Sequence, residues 1–137
     1  CSPRCRDGSP ITRKYYAADL VSPYVASSAA QTALAIQREL MASGPVEASF
    51  FVFSDFASYN GGVYRRTPSA AYVGSHAVRL VGWGVDSTGT PYWTAANNWG
   101  DTWGEHGFFR IVRGTNECGI EDRVVAGRAL REDIVPL

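Results

Sequence analysis

One amphipathic helix followed at once by an apolar strand constrains the fold of this chain more than any other feature. Four apolar side chains recur at spacings of four, three and four residues, namely Ala29, Ala33, Ile36 and Leu40. This period predicts a helix over about residues 28–42, with Ser27 or Ser28 as its N-cap. Gly44 and Pro45 end the helix, because glycine suits a left-handed cap and proline cannot continue a helix.

The residues after the helix are predicted to form strands separated by turns. The first strand, Val46 to Phe53, ends in four consecutive apolar residues, which predicts a strand buried on both faces. Four further strands are predicted at His76 to Val85, Pro91 to Ala96, Gly107 to Val112 and Val124 to Ala129. Residues 1–26 show no period and are predicted to be irregular. This order indicates an α+β fold, a partly closed antiparallel β-barrel with one main helix, in a single β-rich domain covering residues 1–137.

Composition excludes several classes of protein. Hydrophobic residues make up 45% of the 137 residues, which is too much apolar surface for a disordered chain. Thirteen basic and thirteen acidic side chains cancel, and this balance argues against nucleic-acid binding. No apolar run approaches the length that crosses a bilayer, and the histidines and cysteines lack the spacing of metal ligands. We therefore expect no membrane span, no metal and no cofactor. Because the sequence opens on Cys1 with no apolar leader, we expect a fragment or one chain of a processed protein.

His76 and Asn97 are the candidate chemical pair. If the turn after Val85 pairs that residue with Thr90, His76 lies opposite Trp99 and Asn97 falls on the same face, roughly 7–8 Å from His76 between backbones. A register shift of one residue would place the pair on opposite faces. A histidine oriented by an amide oxygen is half of a nucleophilic triad, and a cysteine nucleophile suits a neutral third residue. The alternative is a hydrogen-bonded structural histidine.

Motifs along nearly the whole chain resemble the papain family of cysteine proteases, and most closely its cathepsin B branch. The matching segments, in order, are Gly44-Pro45-Val46-Glu47, Tyr59 through Tyr64, Gly74-Ser75-His76-Ala77-Val78, Leu80 through Val85, Pro91-Tyr92-Trp93, Ala96 through Gly100, Trp103 through Phe109 and Cys118-Gly119-Ile120-Glu121. The resemblance implies the right-hand, C-terminal lobe of a two-lobed protease. Residues 1–26 would link it to the N-terminal lobe.

The resemblance also implies roles for site residues. His76 matches the catalytic histidine and Asn97 the asparagine that orients it. Trp99 matches a tryptophan that shields their hydrogen bond from water and lines the first primed subsite. The other residues implied to bind substrate are Ser75, Val73, Ala77 and Arg123. His106 has no such match and is expected to be an exposed loop residue.

The three cysteines do not supply the nucleophile that the resemblance requires. In this family the catalytic cysteine heads a long helix of the other lobe, whereas Cys1 and Cys5 precede no helical pattern and Cys118 matches a cysteine that is not the nucleophile. The resemblance implies that Cys1 and Cys5 pair with cysteines of the preceding half. A local Cys1–Cys5 bridge and free thiols are the alternatives. Bridges would indicate an oxidising compartment, either lysosomal or endosomal, or outside the cell.

Three positions depart from the cathepsin B pattern. Arg123 stands where that branch has a glutamate at the floor of the second non-primed pocket, which predicts that arginine is disfavoured there and that aliphatic, aromatic or acidic side chains are accepted. Asn98 replaces a serine after Asn97, and Ser75 replaces a glycine before His76.

The resemblance predicts hydrolysis of peptide bonds through a thiolate–imidazolium pair and an acyl-enzyme, with the nucleophile in an N-terminal lobe or chain. The lobe alone is expected to be inactive. Expected partners are that lobe, disulfide-linked as the resemblance implies, peptide or protein substrates and inhibitors of the cystatin type. The alternative is a non-catalytic homologue that acts as a binding or matrix protein.

Overall fold

A computed structural model describes residues 6–10, 13–25 and 28–133. These described residues contain one α-helix, α1, at Ala29–Ala42. The seven strands are β1 Arg13–Val21, β2 Val46–Phe53, β3 Val63–Tyr64, β4 Tyr72–Val85, β5 Pro91–Ala96, β6 Phe108–Val112 and β7 Arg123–Asp133. Short 3-10 turns lie at Phe56–Ser58 and Glu117–Gly119. Within the described ranges no helix is long and apolar enough to cross a membrane.

The chain divides into two compact units, residues 21–126 and the two terminal segments 1–20 with 127–137. In the larger unit the strands neighbour one another in the order β7-β2-β4-β5-β6-β3. All pairs are antiparallel except β3 with β6, and the end strands β7 and β3 are not paired with each other in the described part. The fold is therefore α+β, as predicted, and its sheet is mostly antiparallel and only partly closed. In the smaller unit β1 lies beside the second half of β7.

Helix α1 forms where the sequence predicts it. Ser28 is the N-cap, and its hydroxyl accepts a hydrogen bond from the backbone N–H of Gln31 at 3.3 Å. Ala33 and Ile36 are buried and Leu40 packs against the core. Gly44 adopts a φ of +95° after the last turn.

Strand β2 is buried on one face only, so the prediction of burial on both faces is wrong. Its burial alternates, with Val46, Ala48, Phe50 and Val52 in the core. Phe51 is 41% exposed on the other face, where its ring packs against Tyr72. The apolar run therefore contains residues of two faces of the strand, one in the core and one with an exposed aromatic side chain. A hydrophobicity pattern alone does not distinguish these two faces.

The prediction of an irregular segment over residues 1–26 is also wrong, because Arg13–Val21 forms β1. Five of the six side chains from Tyr16 to Val21 are exposed, so pairing with β7 leaves no hydrophobic period to detect. Strands β4 and β7 extend beyond their predicted bounds to Tyr72 and Asp133, and the two-residue β3 has no counterpart among the predicted strands.

Candidate active site

The hairpin of β4 and β5 positions His76 and Asn97. At its turn end Val85 pairs with Pro91, so the predicted pairing with Thr90 is wrong. The register shifts by one residue between Leu80 and Gly82, and Leu80 then lies opposite Ala95. This irregularity is a β-bulge at Val81, and a bulge re-aims the side chains beyond it.

The bulge brings the two candidate residues to the same face of the sheet. Beyond the bulge the register is the one predicted from the sequence. His76 therefore lies on the core face of β4 with Val78 and Leu80, and Asn97 lies on the same face of the sheet with Ala95 of β5. Had the register of the turn continued unchanged, His76 and Asn97 would lie on opposite faces. The predicted geometry is therefore right at the site and wrong at the turn.

A hydrogen bond of 2.9 Å joins His76 Nε2 to Asn97 Oδ1. The backbone N–H of Asn98 also donates to this Oδ1, at 2.8 Å, which identifies the atom as the acceptor oxygen. Nε2 must therefore donate, and the second ring nitrogen, Nδ1, is left to accept a proton. No described residue donates to or accepts from Nδ1. The Asn97 Nδ2 group is buried without a hydrogen-bond partner among the described residues. The orientation of the amide is therefore set by the hydrogen bonds that Oδ1 accepts.

Trp99 stacks on the His76 ring. The ring centroids are 5.3 Å apart with an interplanar angle of 24°. Trp99 is itself held edge-on by Phe56 at 5.5 Å and by Trp103 at 5.1 Å, and Phe56 is fully buried. The aromatic core therefore sets the orientation of the ring that stacks on the histidine.

Two grooves flank His76 and share Ser75. The larger one has a volume of about 500 Å³ and is lined by Val52, Phe53, Ser54, Ala57, Val73, Gly74, Ser75, His76 and Trp99. The smaller one has a volume of about 60 Å³ and is lined by Ser49, Phe50, Phe51, Ser75, Gly119, Asp122 and Arg123. An extended chain that crosses Ser75 can thus place side chains on both sides of the histidine.

Arg123 is exposed at the smaller groove, directly opposite Ser49 in the β2–β7 ladder. Its guanidinium makes no ion pair or hydrogen bond with any described residue. The neighbouring Asp122 carboxylate accepts a hydrogen bond from Asn116 Nδ2 at 2.7 Å. The groove therefore carries one positive and one negative side chain.

Ala77 lies directly opposite Ser49 of β2, which in turn lies opposite Arg123 of β7. It is exposed on the face of β4 opposite to His76 and lines a third groove of about 430 Å³, with Glu47, Arg79 and Asn97 among its other lining residues. The structure thus places Val73, Ser75 and Trp99 beside His76, and it places Ala77 on the same outer face of β4 as Ser75.

Cys118 is unsuited to be a nucleophile where it lies. Its half-buried thiol donates to Glu117 Oε1 at 3.6 Å, and burial followed by the negative charge of Glu117 raises its pKa to about 12. A thiol with such a pKa stays protonated near neutral pH and is a poor nucleophile. Cys1 and Cys5 lie outside the described residues. His106 is exposed in a turn with a φ of +56°, and the described residues include no group of three or more potential metal ligands.

Sequence reasoning missed the aromatic side chains on the exposed face beside Ser75. Phe51 lies directly opposite Ser75, and the hydroxyl oxygens of Tyr72 and Ser75 are 3.4 Å apart. The aromatic residues of β2 are the sequence signal for this exposed face, but their hydrophobicity predicts that they are buried in the core.

Comparison with known proteins gives consistent matches over most of the chain. The sequence profile described as papain family cysteine protease matches residues 3–128. A gut-specific cysteine proteinase of Caenorhabditis elegans is 47% identical over 129 residues, which cover 94% of this chain and 38% of that protein. The cathepsin B-like cysteine proteinase 4 of the same species is 58% identical over 92 residues, covering 67% of this chain and 27% of that protein. A solved structure, proCathepsin B S9 from Trypanosoma congolense, matches with a TM-score of 0.77 at 35% identity and covers 95% of this chain and 42% of that one. The chain thus spans less than half the length of each of these relatives.

Proposed function

Because this chain belongs to the papain family of cysteine proteases, we propose that it is the C-terminal lobe of a cathepsin B-like cysteine peptidase. The observation that carries the proposal is the Nε2–Oδ1 hydrogen bond between His76 and Asn97, which leaves Nδ1 free to act as a base. The nucleophilic cysteine would come from an N-terminal lobe or chain. On its own the lobe would be inactive.

The proposed reaction begins with transfer of the thiol proton to His76 Nδ1, which forms a thiolate and an imidazolium. The thiolate attacks the carbonyl carbon of the peptide bond, and the C–S bond forms. The C–N bond then breaks as the imidazolium N–H protonates the leaving amine, which produces an acyl-enzyme. Nδ1 finally takes a proton from a water molecule, the resulting hydroxide attacks the acyl carbon, and the C–S bond breaks.

Asn97 and Trp99 would support His76 without reacting. The amide oxygen of Asn97 fixes the ring orientation and adds no charge that would compete with the thiolate–imidazolium pair. Stacking of Trp99 removes water from one face of the imidazole, and a drier environment strengthens the Nε2–H···O bond. Trp99 and Val73 would also contact the substrate residue after the scissile bond, because both line the larger groove.

Labelling of the full-length protein tests the peptidase function. An electrophilic peptide that alkylates activated thiols is expected to modify one cysteine outside this chain, and mass spectrometry of the digest locates it. Cys118 is the internal control, because its raised pKa predicts no labelling near neutral pH. Absence of any labelled cysteine, with folding verified, would favour the non-catalytic binding or matrix protein.

The partners and compartment follow from the same proposal. Cys1 and Cys5 would form disulfides to the N-terminal lobe, and intact mass with and without reductant would show whether a second chain is released. Such bridges suit a lysosomal, endosomal or extracellular site, where thiols oxidise. Peptide or protein substrates, and inhibitors of the cystatin type, would occupy the cleft between the lobes.

Arg123 would select against a basic side chain two residues before the scissile bond, and would allow aliphatic, aromatic or acidic ones. One charge pair at about 4 Å and an effective dielectric of 20–80 is worth roughly 1–4 kcal/mol, or about one to three decades in rate. We expect Arg123→Glu to raise kcat/KM for an arginine substrate relative to a glutamate substrate by about 10- to 1,000-fold. Arg38→Glu on α1 is the control for the change in net charge. An unchanged ratio would show that Arg123 does not face the substrate.

A further inference from the structure

The loop between the 3-10 turn at Phe56–Ser58 and strand β3 contains an asparagine followed by a glycine, Asn60-Gly61. Asparagine is a thermolabile residue, because the backbone nitrogen of the next residue can attack its side-chain amide carbon. The Asn60 side chain is exposed. Neither its amide nor the backbone N–H of Gly61 makes a hydrogen bond with any described residue. Both groups that take part in this attack are therefore free to react.

The space on the outer side of this loop is open. A Cβ atom added at Gly61 would contact only Glu105 Oε1 among the described residues, at 3.7 Å, and one added at Gly62 would contact nothing within 4 Å. Glycine also has no side chain to hinder the approach of its own nitrogen to the preceding amide. The loop can therefore accommodate the five-membered ring that such an attack produces.

The other three asparagines of the chain, Asn97, Asn98 and Asn116, are followed by residues with bulky side chains. The Asn97 Oδ1 atom already accepts two hydrogen bonds. Both ends of the Asn116 amide are also engaged, since Nδ2 donates to Asp122 Oδ1 at 2.7 Å and Oδ1 accepts from the backbone N–H of Glu121 at 3.0 Å. Asn60 alone combines an exposed amide with a following glycine.

We propose that Asn60-Gly61 is a self-modification site, at which Asn60 converts to aspartate and isoaspartate with water as the only reagent. The Gly61 nitrogen loses its proton to solvent and bonds to Asn60 Cγ, the Cγ–Nδ2 bond breaks, and Nδ2 takes up a proton and leaves as ammonia. Water then opens the resulting succinimide. Breakage of the new Cγ–N bond gives aspartate at position 60, whereas breakage of the original bond between the backbone carbonyl carbon and the nitrogen gives isoaspartate.

The two products differ in their effect on the loop. The Gly62 N–H donates to Glu105 Oε1 at 3.1 Å, and the Gly62 carbonyl accepts from the Tyr59 hydroxyl at 2.7 Å. Aspartate keeps the path of the main chain and adds one negative charge near Glu105. Isoaspartate also lengthens that path by one carbon atom between residues 60 and 61, which displaces Gly62 from both partners. Because Tyr59 is buried, we expect the isoaspartyl form to be less stable than the aspartyl form.

The test incubates the full-length protein at about 37 °C in buffers from about pH 6 to about pH 8, with a thiol-reactive inhibitor present to prevent self-digestion. Digestion and mass spectrometry then locate each asparagine whose amide NH₂ has been replaced by OH, and an isoaspartyl methyltransferase identifies isoaspartate. Asn60 is expected to convert at least about ten-fold faster than each of the other three asparagines. Its rate should rise with pH, because solvent base removes the Gly61 proton.

Asn60→Gln is the matched control, because it keeps the amide but requires a larger ring. It should abolish conversion at this position and leave the other asparagines unchanged. Asn60→Asp supplies the aspartyl product directly, and the isoaspartyl form separated from aged protein should unfold at a lower urea concentration than this variant. Equal midpoints would overturn the predicted effect on the loop.

Two results would overturn the modification site itself. The first is conversion of Asn60 in the native protein that is no faster than conversion of Asn116. The second is conversion of Asn60 that is more than about ten-fold slower in the native protein than in the urea-unfolded chain, because the fold would then protect the loop. Neither readout requires peptidase activity.

Discussion

Replacement of His76 by asparagine is expected to lower kcat/KM of the full-length protein on the order of 10⁴-fold. The imidazole is the only described group that presents a free proton-accepting nitrogen beside Ser75 and Trp99, and an asparagine amide does not take up a proton. Loss of the base also removes the cationic partner of the thiolate, so the thiol would lose both activation and charge stabilisation. Steady-state hydrolysis of a fluorogenic peptide measures the effect.

His106→Asn is the matched control for this experiment. It removes the second histidine of the chain by the same substitution, and asparagine tolerates the left-handed φ of +56° at that turn. Its kcat/KM should stay within about two-fold of the wild type, in line with a surface change. Equal losses in the two variants would indicate a general structural defect, and an active His76→Asn enzyme would exclude His76 as the base.

Replacement of Glu121 by alanine is expected to lower the free energy of unfolding by about 3–5 kcal/mol. The side chain is 1% exposed and accepts hydrogen bonds from Trp93 Nε1 at 2.8 Å and from two backbone N–H groups, those of Gly114 at 2.6 Å and Asn116 at 2.8 Å. Removal of the carboxylate would leave three buried or half-buried donors without an acceptor and a void beside Trp93. Denaturant unfolding followed by tryptophan fluorescence measures the loss.

Glu47→Ala supplies the comparison, because Glu47 is exposed on β2 and its side chain makes no hydrogen bond with a described residue. Its effect should be within about 0.5 kcal/mol. Glu121→Gln keeps one acceptor oxygen and should fall between the two alanine variants. If the free energies of unfolding of Glu121→Ala and Glu47→Ala differ by less than about 1 kcal/mol, the three donors must find other acceptors. The hydrogen-bond network would then not stabilise the fold as its geometry implies.

Local signals in the sequence were sufficient for the helix and for most strands. The apolar stripe, the Ser28 cap and the Gly44-Pro45 terminator all belong to one short segment, so α1 could be predicted within a residue. Strand β1 could not, because its exposed side chains carry no period and its partner, the end of β7, lies more than one hundred residues away in sequence. Burial of β2 was overestimated for a related reason, since hydrophobicity does not tell a core phenylalanine such as Phe50 from an exposed one such as Phe51.

The candidate site was predictable as a pair of residues but not as a geometry. His76 and Asn97 carry a motif, and the hairpin between them is short, so their proximity follows from the sequence. The bulge at Val81 has no sequence signature in this chain, and the predicted register reached the right face only because an error at the turn matched the shift. The narrow groove bounded by Phe51 depends on contacts with Gly119 and Tyr72 from other elements, which no local pattern reveals.

The bulge at Val81 divides the β4–β5 hairpin into parts with unequal tolerance to changes in length. Residues added to the turn at 86–90 would project outward, and the ladder behind them would keep its pairing. One residue gained or lost between Val81 and His76 would instead carry the imidazole through the sheet to the other side, while the pairing of Trp83 with Trp93 stayed intact. Variation in length among descendants of this sequence should therefore collect in the turn, and the short stretch from His76 to Val81 should keep an invariant count of residues even where its side chains change.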